Sequence, residues 1–190
     1  MSLLSGTPAR GVALACLVLA ACSDAPPPSR PVAPPPPPGG LALTDDGLGG
    51  LGADTPFELD AVRQAVGHGV TAELAPGTEP GDPEGTLWLL RDGLLLAEVV
   101  REAGREGPAR VEVTGEGIPG PGGAEVGQAF SETGLARRDC GVGTERYAGS
   151  AVCETGGVEL VFAHGGDPLD LPPAEALADA ILTRMVWRAR

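Results

Sequence analysis

The sequence predicts a mainly β domain, an antiparallel β-sandwich or curled sheet with two or three short helices. Three observations carry this expectation. Two segments have hairpin signals: Asp92-Gly93 between apolar runs, and Gly156-Gly157 between alternating ones. Candidate strands outnumber candidate helices. The connections between them are mostly short.

The elements follow in order. Thr55-Pro56-Phe57-Glu58 reads as a helix start, with Thr55 as cap, Pro56 at the first helical position and Glu58 at the capping-box position. Phe57, Ala61, Val62, Ala65 and Val66 then recur at helical spacing, and Gly67 ends the run. Val70 to Leu74 alternates as a short strand. Thr86 to Arg101 is the clearest hairpin. Its two-residue turn sets Leu90 opposite Leu95, Leu89 opposite Leu96 and Trp88 opposite Ala97. Both faces are apolar near the turn, so the pair is expected to lie centrally, covered on each side. Ala109 to Thr114 alternates, with Val111 and Val113 inward and Arg110 and Glu112 outward. The second hairpin, Ser150 to Ala163, sets Glu154 opposite Glu159, a mild repulsion. Pro172-Pro173 opens a short helix through about Ala180, and Thr183 to Arg188 reads as a terminal strand.

Of the 190 residues, 26 are acidic and 13 basic, a formal charge of −13. That balance argues against nucleic acid as a partner, since phosphate backbones recruit basic surfaces. Every basic residue is Arg; Lys and Asn are absent while Ala, Gly and Pro abound, a pattern that fits a GC-rich genome. No 18-residue apolar run exists to span a bilayer. Residues 41–190 are expected to form a single β-rich periplasmic domain, with 11 Arg against 25 acidic side chains, a balance of −14. Its length suffices for one core.

Residues 1–21 read as a signal peptide. Gly11 to Ala21 is an 11-residue apolar core after one positive side chain, right for an export signal. It ends in Leu19-Ala20-Ala21-Cys22, which resembles the lipobox of bacterial lipoproteins. That resemblance implies that Cys22 takes a diacylglycerol and a further acyl chain, enough for a stable membrane anchor. Ser23 follows Cys22, and Asp24 comes one position too late to mark inner-membrane retention. The resemblance therefore implies the periplasmic leaflet of the outer membrane. Residues 22–40 form the lipidated Cys and a tether. Nine of the 14 residues from Ala25 to Pro38 are Pro, a polyproline spacer. At ~3.1 Å per residue, Cys22 to Gly40 reaches on the order of 50–60 Å.

Cys16 would leave with the signal and Cys22 carry lipid, which leaves Cys140 and Cys153 in an oxidising compartment. A disulfide is the default reading. A redox pair is the alternative, but the spacing is not Cys-x-x-Cys, and only Arg137 and Arg138 stand nearby to lower a thiol pKa.

Other constellations are weaker. Gly47-Leu-Gly49-Gly-Leu-Gly52, followed by Glu73, mimics a dinucleotide fingerprint. Its preceding strand would emerge from a Pro run, and Asp45-Asp46 would repel a pyrophosphate. Gly115 to Gly120 fits the same pattern, as chance allows in a Gly-rich chain. Asp45, Asp46 and Asp54 lack EF-hand spacing. His164-Gly-Gly-Asp167 could supply a base and its orienter, but no G-x-S-x-G accompanies it, and His68 is remote in sequence. No cofactor, structural metal or catalytic residue is therefore expected.

The lipobox, the stretches "DDGLGGLGADTPFELDAV", "GIPGPGGAEVGQAF" and "VELVFAHGGDPLDLPPAEAL", the pair Cys140 and Cys153, and the terminal "RMVWRAR" occur in order. As a set they resemble the RpoE-regulated (YfeY-like) bacterial lipoproteins. The resemblance implies a mainly β domain, an outer-membrane anchor and expression under envelope stress, and it supplies no catalytic residues. The chain departs from it in its long Pro tether. The expected function is that of a non-enzymatic envelope lipoprotein, held to the membrane by lipid and binding or supporting a periplasmic protein or cell-wall component. The alternatives are a small periplasmic hydrolase pairing His164 with Ser131 or Ser150, and a small-ligand-binding β domain.

Overall fold

The computed structural model describes residues 40–190. The expected signal peptide, Cys22 and the Pro-rich segment through Pro38 lie outside them. The chain opens with a two-stranded ribbon, β1 (Leu43–Thr44) and β2 (Gly47–Leu48), followed by helix α1 (Leu59–Val66). Strands β3 (Thr71–Leu74), β4 (Thr86–Arg91), β5 (Leu94–Val100) and β6 (Arg110–Val113) come next. After a long connection with short 3₁₀ turns come β7 (Cys140–Val142), β8 (Ser150–Thr155), β9 (Val158–Ala163), α2 (Ala174–Ala178) and β10 (Ile181–Arg188).

Eight strands form one open antiparallel sheet in the order β3-β4-β5-β6-β10-β9-β8-β7. The fold is mainly β, as expected, with one large sheet and a small ribbon. The C-terminal strand β10 sits at the middle, between β6 and β9. Leu87, Leu89, Val111, Val113, Leu160 and Phe162 share one face and are all fully buried. They meet Leu43 and Leu48 of the ribbon, Val62 of α1, Leu177 of α2 and Ile118 of the long connection in one core. Each such side chain contributes about 1.5–3 kcal/mol by leaving water. Phe130 packs edge-on against Phe162 with centroids 5.2 Å apart. The Trp187 indole donates to the Asp45 carbonyl at 2.8 Å, fastening the ribbon to β10.

Gly47 has φ +130, and a Cβ there would lie 1.9 Å from the Leu51 carbonyl oxygen. Gly47 to Gly52 is a tight ribbon return, with Leu48 and Leu51 exchanging backbone hydrogen bonds of 2.9 and 3.0 Å. It is not the strand-to-helix turn of a dinucleotide site.

Three expectations change. Helix α1 begins at Leu59, later than the capping pattern suggested. The Thr55 hydroxyl is taken by the Gly52 amide, and the Phe57 amide donates to the Glu106 carbonyl, so the supposed first turn is held elsewhere. In the β4–β5 hairpin Leu90 faces Leu95 as expected, but Leu89 faces Ala97 and Trp88 faces Glu98. A bulge between Leu89 and Leu90 leaves Leu96 as the extra residue. The same hairpin is second and third from the β3 edge, not central. Trp88, Leu90 and Leu95 lie on the face away from the core and are half-buried, because both helices pack on the other side.

Candidate functional site

The face turned away from the core carries an ordered line of side chains. Cross-strand register places Glu73, Trp88, Glu98, Glu112, Val186, Glu159 and Glu154 in one row across seven strands. Directly opposed carboxylates repel, and this row holds two such pairs, Glu98 with Glu112 and Glu159 with Glu154. Arginines relieve the second pair. Arg188 grips Glu159 through Nε at 3.0 Å and Nη2 at 3.3 Å, and Arg190 approaches Glu154 at 3.9 Å. Donating these hydrogen bonds to the Glu159 carboxylate holds the Arg188 pKa above its ordinary value.

Glu112 departs from the sequence expectation. It is outward from the core, yet only 1% exposed. The cover is a 3₁₀ turn, Glu145–Tyr147, in the segment between β7 and β8. Tyr147 packs with Val161 and Val186, and with the half-buried Val152, in a small second apolar cluster. Gly143 lets this segment fold back, since a Cβ there would lie 2.1 Å from the Tyr147 carbonyl oxygen. Glu145 starts the turn at φ 51, a left-handed conformation uncommon for a residue with a Cβ.

A buried carboxylate needs counter-charge and hydrogen bonds, and Glu112 has both. The Tyr147 hydroxyl donates to Oε1 at 3.1 Å. Arg146 Nη1 stands 2.7 Å from Oε1, and Arg184 Nη1 3.3 Å from Oε2. Arg110 Nε lies 2.6 Å from Oε1, but too far off line for a directed hydrogen bond. The Arg146 and Arg184 guanidinium carbons lie 5.6 and 5.7 Å from the Tyr147 ring centre, within cation–π range. Burial raises the Tyr147 pKa above 10.0, and the negative charge of Glu112 raises it further. Four residues from β6, β10 and the turn thus converge on one carboxylate.

Cys140 and Cys153 face each other across β7 and β8 and are joined by a disulfide. This bond closes the segment that carries Arg146 and Tyr147. His164 Nδ1 accepts the Gly166 amide at 3.2 Å, and Asp167 Oδ1 accepts the Leu169 amide at 2.9 Å. Each serves its own local turn. Ser131 is exposed in a 3₁₀ turn, and Ser150 pairs with Ala163; among the described residues no hydrogen bond joins either serine to His164. Asp45, Asp46 and Asp54 line an open cleft of about 710 Å³ shared with Arg188 and Arg190. His68 is exposed beyond α1. No described helix is long and apolar enough to cross a membrane.

Sequence reasoning missed the Glu112 cluster because its members are distant along the chain. The one local signal was Arg110-x-Glu112, a same-face pair on a short strand.

No protein-family model matches the chain, and no curated protein matches it. Among solved structures it is similar to the crystal structure of the uncharacterized protein yfeY from Escherichia coli, with a TM-score of 0.56 at 18% identity. The match covers 77% of this chain and 99% of that one. The described domain therefore has a YfeY-like fold, in keeping with the resemblance carried by its motifs.

Proposed function

We propose that the chain is an envelope lipoprotein, anchored through Cys22 at the outer membrane, whose domain acts as a binding module under envelope stress. It presents the open sheet face to a periplasmic protein or cell-wall component. The observation that carries this reading is the composition of that face. Trp88, Leu90 and Leu95 stand half-exposed on the same sheet face as an organised Arg–Glu–Tyr network, and none of the three belongs to the core. Aromatic side chains and arginines are the groups enriched at recognition surfaces. The lipobox and the Pro-rich spacer support attachment at a distance from the membrane.

The test places a photo-cross-linking residue at Trp88 on the open face, or at Glu175 on α2 on the covered side, in intact cells. Trp88 is expected to yield discrete adducts and Glu175 few. The Cys22→Ala form is expected to lose them. Equal adducts from both positions would remove the open face as the working surface.

A further inference from the structure

We propose that Arg110, Arg146 and Arg184, gathered around Glu112, form a binding site for a phosphate-class dianion, either inorganic phosphate or a phosphomonoester. The inference deepens the reading of the open face as a binding surface by naming a ligand chemistry for one part of it.

The first argument is charge. Residues 41–190 hold 25 carboxylates and 11 arginines, so partners for an arginine are plentiful. Yet three arginines share a single carboxylate, and among the described residues none of the three has another carboxylate within ion-pair distance. One guanidinium and the Tyr147 hydroxyl would suffice to neutralise Glu112. The second and third add mutual repulsion in a partly desolvated place. Three positive charges stand against Glu112 and the directly opposed Glu98, which leaves a local excess of +1 in a chain of −13. A phosphomonoester carries about −1.5 to −2 at pH 7.

The second argument is geometry. A guanidinium offers five N–H donors in a rigid fork suited to phosphate. Arg110 meets Glu112 through Nε, and Arg146 and Arg184 each through Nη1, so each has other N–H groups to offer. The Arg146 side chain is 42% exposed and Arg184 33%, while Arg110 is 15% exposed. Two arginines thus form a rim open to solvent, and the third a floor. Glu112 and the Tyr147 ring hold the rim side chains in place, which lowers the ordering cost of capturing an anion. Glu112 here is a positioning residue.

The test is isothermal titration of the full chain in a neutral detergent at low salt. The titrants are inorganic phosphate, glycerol 3-phosphate, dihexanoyl phosphatidic acid with dihexanoyl phosphatidylcholine as its control, and acetate as a monoanion. Phosphate is expected to bind one-to-one, about tenfold more tightly than acetate, and Arg146→Ala or Arg184→Ala to weaken it about tenfold each. Arg138→Ala, at an exposed turn, is expected to change nothing. Glu112→Gln keeps an acceptor oxygen for the rim arginines and removes the competing negative charge, so it is expected to strengthen phosphate binding even as it lowers stability. A preference for phosphatidic acid over glycerol 3-phosphate assigns the site to a lipid headgroup, and equal affinity to a soluble phosphate. Absence of saturable phosphate binding, or binding unchanged in Arg146→Ala and Arg184→Ala, would overturn the proposal. Those two variants decide the matter if Glu112→Gln does not fold. Trp88 cross-links that persist after a failed titration would remove the phosphate site and leave the binding surface standing.

Discussion

Tyr147 donates its hydroxyl to Glu112 Oε1 at 3.1 Å, and the two residues stand 35 positions apart in the chain. That bond ties the β7–β8 segment to the middle of the sheet and seals a carboxylate that three arginines already approach. The cluster is therefore asymmetric in its response to mutation. Removing the carboxylate leaves guanidiniums without their counter-charge, and removing one arginine leaves a carboxylate still paired twice. Truncating one member of a fully buried pair costs about 3–5 kcal/mol. Arg146 and Arg184 are partly solvated, so Glu112→Gln is expected to cost less, about 2–3 kcal/mol. Arg146→Ala should cost under about 1 kcal/mol, as for an exposed ion pair. Urea unfolding of the full chain measures both. Equal costs would show that the arginines are not redundant.

Tyr147 also sets a pH dependence. Burial and the adjacent Glu112 raise its pKa above 10.0 in the folded chain. A raised folded pKa means that the folded state holds the phenolic proton more tightly than the unfolded state. The associated stability is present in full below about pH 10 and is lost as pH rises through the folded pKa. Tyr147→Phe has no proton to lose. Its stability is expected to fall less steeply than wild type above about pH 10. Parallel alkaline profiles for the two proteins would contradict this assignment.

The two faces of β4 supply a third prediction and show what the sequence made legible. Leu89 is fully buried in the main core, whereas its neighbour Leu90 lies on the opposite face, half-exposed. Leu89→Ala is expected to cost about 2–5 kcal/mol, and Leu90→Ala under about 1 kcal/mol. Thermal unfolding distinguishes them. The β8–β9 register was legible because Gly156-Gly157 is flanked by clear alternation, and Glu154 does face Glu159. The β4–β5 register was legible only at the turn. Leu94, Leu95 and Leu96 are identical, so alternation cannot mark which of them bulges. Period-two patterning put Arg110 and Glu112 on the face away from the core correctly. Burial of Glu112 was not legible, because its cover comes from Arg146, Tyr147 and Arg184, which no local pattern links to β6.

The disulfide gives the last prediction, since it closes the segment that covers Glu112. Cys140 and Cys153 are an in-register pair, with Cys153 fully buried and Cys140 half-buried. They bracket Gly143, Glu145, Arg146 and Tyr147. Alkylation of the denatured chain without reductant is expected to label neither thiol, and quantitative labelling of both would refute the bond in the cell. Closing a loop of this size restricts the unfolded chain by about 3 kcal/mol in the loop-entropy account. A Cys140→Ala, Cys153→Ala form should therefore unfold at lower urea but keep its sheet, because strands β3 to β6 and β10 do not depend on the β7 edge. The loss should also be local. Backbone amides from Gly141 to Gly149 are expected to exchange with deuterium faster in this form, while those of Val111 and Val113 in β6 keep their relative protection. Once the segment opens, Tyr147 loses Glu112, and the alkaline sensitivity assigned to Tyr147 should fade with it. Uniform acceleration of exchange across all strands would instead make the disulfide a global staple, with no particular hold on the cover of Glu112.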